Sequence, residues 1–173
     1  MNISMPPIYD PEAVRPMWEE LAAVGVDPLH TPEEVQAAFA APEGTLLVVV
    51  NSVCGCAAAN ARPGVSLALQ HARIPDRSVT VFAGVDRAAV QEARSHMAVP
   101  PSSPCIALFK DGKAIHILER RHIEQMDVRT IAQDLAQAFD ANCTRQGPAV
   151  SPEQFAKVVN VQQCSSTIPR YPG

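Results

Sequence analysis

Two cysteines separated by one glycine, Cys54-Gly55-Cys56, are the residues of this sequence best suited to covalent chemistry. The nucleophile in thiol–disulfide exchange is the thiolate, and an unperturbed cysteine pKa of about 8.5 leaves little thiolate near neutral pH. The N-terminus of a helix stabilises such an anion with free N–H groups and the positive end of the helix dipole. The chemistry of the pair therefore depends on the elements that hold it.

The pair lies between a predicted strand and a predicted helix. The run at 45–50, TLLVVV, is almost continuously apolar and rich in β-branched residues, as expected of a central strand covered on both faces. The stretch at 57–70 is rich in alanine, and the Pro-Gly pair at 63–64 interrupts it, which predicts a kinked or broken helix. Cys54 then lies just ahead of the helix and Cys56 in its first turn, so Cys54 is the better-placed nucleophile.

The spacing of the cysteines limits what they can do together. Residues two apart on a regular helix do not face each other, so a disulfide between them needs non-helical backbone, which Gly55 permits. So short a loop predicts a strained, oxidising disulfide, and it allows Cys54 to hold a small-thiol adduct alone. Two other interpretations stay open: the cysteines simply fill the turn, or they bind zinc together with Cys105 and a histidine.

The remaining predicted elements extend the alternation of strands and helices. In chain order they are a helix at 10–24, a short helix from Thr31, a strand at 78–83, a helix at 86–97 capped by Asp86, strands at 105–109 and 114–118 joined by an Asp-Gly hairpin, and a helix at 128–139. This order resembles an α/β fold of thioredoxin-like type. It predicts a mixed sheet flanked by helices, with two N-terminal helices and a short C-terminal extension.

The length of 173 residues is enough for one substantial core and short for two. We expect a thioredoxin-like domain over residues 1–144. Residues 145–173 form the C-terminal extension, which begins with a linker at Gly147-Pro148, continues as a short helix from Ser151 to about Gln163, and is partly mobile at its end.

Charge and hydropathy exclude several classes of protein. Lys and Arg number 14 and Asp and Glu 18, a net charge of −4 without a basic run, so neither nucleic acid nor an anionic membrane is an expected partner. The longest apolar run is far shorter than the ~20 residues that span a bilayer. The N-terminus lacks the pattern of a secretory signal, so we expect a cytoplasmic protein, whose five cysteines are buried, metal-bound or redox-active.

The sequence around the pair is also specific for one family. The block at 49–58, VVNSVCGCAA, followed by Ala61-Arg62-Pro63, resembles the bacilliredoxins, thioredoxin-like proteins with a Cys-Gly-Cys motif. The resemblance extends over residues 10–143, and its later blocks lie at 80–84, 100–104, 121–124 and 138–143.

This resemblance implies an activity. Bacilliredoxins remove bacillithiol, a low-molecular-weight thiol, from proteins that carry it as a mixed disulfide, and weak disulfide isomerase activity is attributed to them. The protein partners implied here are bacillithiol-modified proteins, with bacillithiol as the thiol co-substrate and no bound cofactor or metal. Cys54 is then the attacking thiol, and Cys56 is the candidate that resolves the adduct.

Further site residues follow from the same fold. Thioredoxin-like folds place a cis-proline opposite the reactive cysteine, where its missing N–H lets a substrate chain approach, and Pro104 is the candidate, with Pro101 as the alternative. Arg62 is a candidate to hold a thiolate or a substrate carboxylate, unless it is a solvated helix residue. Gly55, Pro104 and Arg62 are therefore the predicted substrate-binding residues.

Three other cysteines bear on the resolving step. Cys105 stands where the family pattern has serine, and we expect it to be buried and to point away from the pair. Cys164 belongs to a tail longer than the family's, and both Cys105 and Cys164 could in principle compete with Cys56. Cys143 follows the last helix and is either a third redox cysteine or a spare C-terminal thiol. We assign no catalytic role to Cys143 or Cys164. The alternative functions are a general disulfide isomerase or reductase, and a zinc- or iron-binding interaction module that uses the same cysteines.

Overall fold

The fold is built on a mixed five-stranded sheet, described by a computed structural model that covers residues 5–41, 43–162 and 167–173. The strands are β1 (Asp27–Pro28), β2 (Thr45–Asn51), β3 (Arg73–Ile74), β4 (Arg77–Phe82), β5 (Cys105–Lys110), β6 (Lys113–Leu118) and β7 (Arg145–Gln146). The five-stranded sheet has the order β1-β4-β2-β5-β6, and β3 pairs with β7 in a separate ribbon. This α/β arrangement confirms the predicted thioredoxin-like class.

Strand β2 is the centre of the sheet. It runs parallel to β4 and antiparallel to β5, and all seven of its residues are buried. The continuous apolar run predicted this position, because a strand with neighbours on both edges and helices on both faces has no polar side. The strand that leads to the cysteine pair is therefore one of the most fixed parts of the molecule.

Helices cover both faces of the sheet. They are α1 (Pro11–Ala22), α2 (Pro32–Phe39), α3 (Arg62–Ala68), α4 (Arg87–Ser95), α5 (Arg120–Ile123), α6 (Val128–Asn142) and α7 (Pro152–Ala156). Alternate side chains of β2 point to opposite faces. Leu47 and Val49 join the core formed with α3 and α6, whereas Val48 and Val50 join the core formed with α2 and α4.

The segment between the cysteine pair and α3 is an irregular helix. Residues Ala57–Ala61 form a π-helical turn, in which the Arg62 N–H donates to the Ala57 carbonyl. Pro63 follows at once and has no N–H to donate to the preceding turn. The predicted break in the helix is confirmed, and it lies just before the Pro-Gly pair.

Two predicted details are wrong. Asp86 does not cap α4 with its side chain, because its ψ of 59° is not the extended conformation of a capping residue. Its carboxylate instead lies 3.1 Å from Nδ1 of His30. The helix predicted to reach Gln163 ends as α7 at Ala156, before a run of β-branched valines that disfavour helix.

The C-terminal extension is docked on the domain at several described residues. β7 pairs with β3, and a side chain on Gly147 would collide with the His71 carbonyl oxygen, so this close backbone approach requires glycine. Near the chain end, Ile168 is 6% exposed, and the Asp10 N–H donates to the Pro169 carbonyl at 2.9 Å. The mobility expected of the extension stays a prediction. No helix within the described ranges is long and apolar enough to cross a membrane.

Candidate active site

Cys54 lies at the point where strand β2 passes into the irregular helix. Its carbonyl accepts hydrogen bonds from the Ala57 and Ala58 N–H groups at 3.1 and 3.3 Å, which are the first bonds of the helix. The Ala57 N–H also lies 3.4 Å from Cys54 Sγ. The sulfur is therefore held at the N-terminal end of a helix, as the strand–helix junction predicted.

Cys56 brings a second sulfur to the same place. The two Sγ atoms are 2.6 Å apart, and both cysteines are free thiols that are half-buried. Gly55 between them is exposed, and a Cβ added there would meet no atom within 4 Å. The missing side chain leaves the pair open to an approaching molecule.

The two thiols differ in acidity. Burial opposes ionisation of Cys54, but hydrogen bonds from Cys56, Ser52 and the Ala57 N–H and the positive charge of Arg120 outweigh it and lower its pKa. Burial, the hydrogen bond to Cys54 and the Cys54 charge raise the pKa of Cys56 to about 12. Of the two thiols, Cys54 is therefore the one that ionises first, and its thiolate can accept a hydrogen bond from the Cys56 thiol.

An open cleft of about 370 Å³ leads to Cys54. Its lining residues come from the N-terminal segment, the turn before Cys54, the end of β4, the turn before β5 and the start of α5: Ile8, Tyr9, Ser52, Val53, Cys54, Ala83, Gly84, Ser103 and Arg120. The Tyr9 ring packs directly on Gly84, where an added Cβ would lie 2.7 Å from it. A small molecule or an extended peptide has access to the Cys54 sulfur through this cleft.

Pro104 is the predicted cis-proline, and the Ser103–Pro104 peptide bond is cis. Pro104 itself is buried, and its neighbour Ser103 lines the cleft opposite Cys54. The Ser103 carbonyl accepts a hydrogen bond from Arg120 Nη1 at 3.4 Å. Ser103, rather than the buried Pro104, therefore lines the cleft together with Cys54. Its contact with a substrate stays a prediction.

The structure corrects the predicted role of Arg62. Its side chain is 1% exposed, so it is not a solvated helix residue, and it does not line the cleft. Its donors are used inside the protein, by Glu20, Asn51 Oδ1 and the Ser52 carbonyl among others. The surrounding elements α1 and β2 supply these acceptors, which the sequence near Arg62 does not reveal. Direct contact with a substrate carboxylate is excluded in this conformation, whereas a favourable interaction between its charge and the Cys54 thiolate remains.

Arg120 is a site residue that the sequence analysis missed. It lines the cleft at the start of α5, and its positive charge lowers the pKa of both cysteines of the pair. Its Nε donates to Glu124 at 2.6 Å, and its guanidinium is half exposed. The adjoining block at 121–124 resembles the family pattern, and that was the one signal in the sequence, because Arg120 lies 66 positions after Cys54.

Of the cysteines that the structure describes, Cys105 and Cys143 do not join the pair. Cys105 is 2% exposed at the start of β5 and packs on the α2 and α4 face of the sheet, whereas Cys56 packs on the α3 and α6 face. Cys143 is 2% exposed, and burial raises its pKa, as burial raises that of Cys105 to about 11. Cys164 lies outside the described residues. Within the described ranges, no group of three or more Cys, His, Asp and Glu residues could hold a metal ion.

The fold and the cysteine pair define a thioredoxin-like thiol–disulfide redox protein. A family model described as "Disulphide isomerase" matches residues 9–143. A bacilliredoxin of Salinibacter ruber is 49% identical over 143 residues, which cover 81% of this chain and 84% of that protein. A bacilliredoxin of Cytophaga hutchinsonii is 49% identical over 77% of this chain and 98% of its own length. A bacilliredoxin of Halalkalibacterium halodurans is 44% identical over 78% of this chain and 94% of its own length.

The chain belongs to the bacilliredoxin family. Membership supports a thiol–disulfide redox role and an oxidoreductase type of enzyme. The matched region ends at Cys143, so the C-terminal extension lies outside it.

Proposed function

We propose that this protein removes bacillithiol from proteins that carry it as a mixed disulfide, with Cys54 as the nucleophile. One observation carries the proposal: a cysteine of lowered pKa faces an open cleft, next to a second thiol whose pKa is about 12. The choice of bacillithiol as the small thiol is supported by the name of the relatives, which are bacilliredoxins.

The first step transfers the small thiol. The Cys54 thiolate attacks the bacillithiol sulfur of the mixed disulfide, a new bond forms between Cys54 Sγ and that sulfur, and the protein sulfur leaves as a thiolate. The positive charge of Arg120 at the cleft stabilises the attacking Cys54 thiolate. The target protein is left reduced and the enzyme carries the adduct.

The second step releases bacillithiol. Once Cys54 is in a disulfide it has no charge, so two of the causes that raise the pKa of Cys56 disappear and its pKa falls. The Cys56 thiolate then attacks Cys54 Sγ, a Cys54–Cys56 disulfide forms, and bacillithiol leaves as a thiolate. An external thiol can instead attack the adduct and regenerate Cys54 directly.

A transfer assay on a bacillithiol-modified protein tests both steps, with each cysteine changed in turn. Cys54→Ala should abolish the first step, because Cys54 is the one described cysteine that lines the cleft. Cys56→Ala should retain the first step and accumulate the adduct on Cys54, as seen by mass spectrometry, with an external thiol needed for turnover. Equal loss of the first step in both variants would contradict a one-cysteine attack and favour an obligatory dithiol.

A second candidate is general disulfide isomerisation, which the description of the family model favours. The same exposed Gly55 and open cleft suit a peptide substrate. Reactivation of a protein with scrambled disulfides, measured beside the transfer assay, separates the two: faster processing of the bacillithiol adduct supports the first proposal, and faster isomerisation supports the second.

A further inference from the structure

A fully buried ion pair lies beneath the active site. Glu20 of α1 and Arg62 of α3 meet at 2.9 Å between Oε2 and Nε, and their side chains are 0% and 1% exposed. Two charges removed from water are costly to keep unless further hydrogen bonds satisfy them. The hydrogen-bond partners of Glu20 and Arg62 therefore identify the parts of the chain that stabilise this pair.

Two of these partners come from the backbone of one residue of the C-terminal extension. The Val161 N–H donates to Glu20 Oε2 at 3.2 Å, and the Val161 carbonyl accepts from Arg62 Nη2 at 2.8 Å. The next residue, Gln162, donates its amide to the Ala58 carbonyl, two residues beyond Cys56. The negative and positive members of the ion pair thus bind the donor and the acceptor of a single residue, which lies beyond the family match.

The same guanidinium reaches the turn that carries Cys54. Arg62 Nη1 donates to Asn51 Oδ1 at 3.2 Å and to the Ser52 carbonyl at 3.1 Å. The Ser52 N–H donates to Asn51 Oδ1 at 2.9 Å, and the Cys54 N–H donates to Ser52 Oγ at 3.3 Å. A continuous chain of hydrogen bonds therefore joins the extension to the backbone of Cys54.

Apolar contacts follow the same path. The Val161 side chain packs on the cluster that contains Val53, the residue immediately before Cys54, together with Phe82 and Ile168. Ile168 also belongs to the extension. Two described parts of the extension, on either side of residues 163–166, therefore contact the apolar cluster under the Cys54 turn.

We propose that the C-terminal extension acts as a brace of the active site, that is, a segment that holds the site in place: Val161 hydrogen-bonds both members of the Glu20–Arg62 pair, and Arg62 then holds the turn that presents Cys54. The proposal rests on Cys54 being the nucleophile. Arg62 is a positioning residue, since it acts through Asn51 and Ser52 and does not reach the cleft.

The substitution Val161→Pro tests the brace, because it removes the N–H that Glu20 binds and leaves both charged residues in place. Val159→Pro is the matched control, since Val159 lies on the same segment and is 74% exposed. Two quantities are measured in the full chain: limited proteolysis of the extension, and site-resolved alkylation of Cys54 by iodoacetamide as a function of pH.

We expect Val161→Pro to expose the extension to the protease and to slow Cys54 alkylation at mildly acidic pH by at least about threefold, where tenfold corresponds to one pKa unit. The control should match the natural protein in both. An extension that stays protected, or that is released without any change in the alkylation profile, overturns the brace. Alkylation requires no bacillithiol, so this result is independent of the proposed substrate.

Discussion

Cys54 and Cys56 show how the local environment sets the acidity of a thiol. They are two residues apart and share one hydrogen bond, yet the pKa of Cys54 is lowered and that of Cys56 is raised to about 12. Hydrogen bonds to the Cys54 sulfur favour its thiolate, whereas the charge of that thiolate opposes a second ionisation beside it.

Selective alkylation follows from this difference. Because a lowered pKa increases the thiolate fraction at a given pH, Cys54 should be the first of the four described cysteines to be modified as the pH rises from mildly acidic values. Cys56, Cys105 and Cys143, whose pKa values are raised, should lag behind. Site-resolved mass spectrometry after short exposure to iodoacetamide measures the order, and faster labelling at Cys56 would reverse the roles of the pair.

Arg120 contributes to the same acidity through its charge. Arg120→Gln should raise the pKa of Cys54 and slow disulfide exchange near neutral pH, with little effect on the free energy of unfolding, since this side chain is half exposed. The adjacent Arg121→Gln is the control, because its side chain is 74% exposed and does not line the cleft. Identical pH profiles of alkylation for the two variants would show that the charge of Arg120 does not lower the pKa of Cys54.

At the scale of elements, the packing of α3 on α6 depends on the absence of a side chain. A Cβ on Gly64 would lie 2.6 Å from Cγ2 of Ile131, closer than atoms of two packed helices approach. The glycine therefore sets the distance between the helix that follows the cysteine pair and the longest helix of the fold.

A pair of glycine substitutions tests this packing. Gly64→Ala should lower the free energy of unfolding by about 1–3 kcal/mol, since it forces two packed helices apart. Gly55→Ala, where a Cβ meets open space, should leave stability nearly unchanged or slightly higher. Urea unfolding of both variants makes the comparison. Equal stability of the two variants would contradict the tight helix contact.

At the scale of the whole molecule, the Glu20–Arg62 pair joins α1, α3 and the C-terminal extension. Arg62→Gln leaves the Glu20 carboxylate buried without its cation, which should lower the free energy of unfolding by about 3–5 kcal/mol. Arg15→Gln, which breaks an exposed ion pair with Glu12, is the control and should change stability little.

The loss of unfolding free energy in Arg62→Gln should also depend on pH. Burial already raises the pKa of Glu20, and removal of Arg62 takes away the main influence that lowers it. A carboxyl with a raised pKa in the folded state favours folding at low pH, and that contribution is lost as the pH rises through the raised value. The stability gap between Arg62→Gln and the natural protein should therefore narrow toward mildly acidic pH. A constant gap in urea unfolding across this range would show that Glu20 is not the group left unpaired.

The sequence alone was enough to predict the main strands and helices, the central strand β2, the cysteine pair at the start of a broken helix, and the cis-proline candidate. These depend on apolar periodicity, on proline and glycine positions and on a short motif, all of which are local along the chain. The short strands β1, β3 and β7 and the short helix α5 were not predicted. The same local signals wrongly predicted a side-chain cap at Asp86. That residue lies in the turn between β4 and α4 with a ψ of 59°, and its side chain makes no capping hydrogen bond.

The positions of the arginines and of the extension depend on tertiary packing and could not be predicted from the sequence. Arg62 looked equally suited to solvent or to a substrate, and it is buried because α1 supplies Glu20 and the extension supplies Val161. Arg120 reaches the cleft because β5, β6 and α5 bring it next to Cys54. The burial and the partners of a charged side chain depend on which distant elements pack around it, and that information is not carried by its neighbours in sequence.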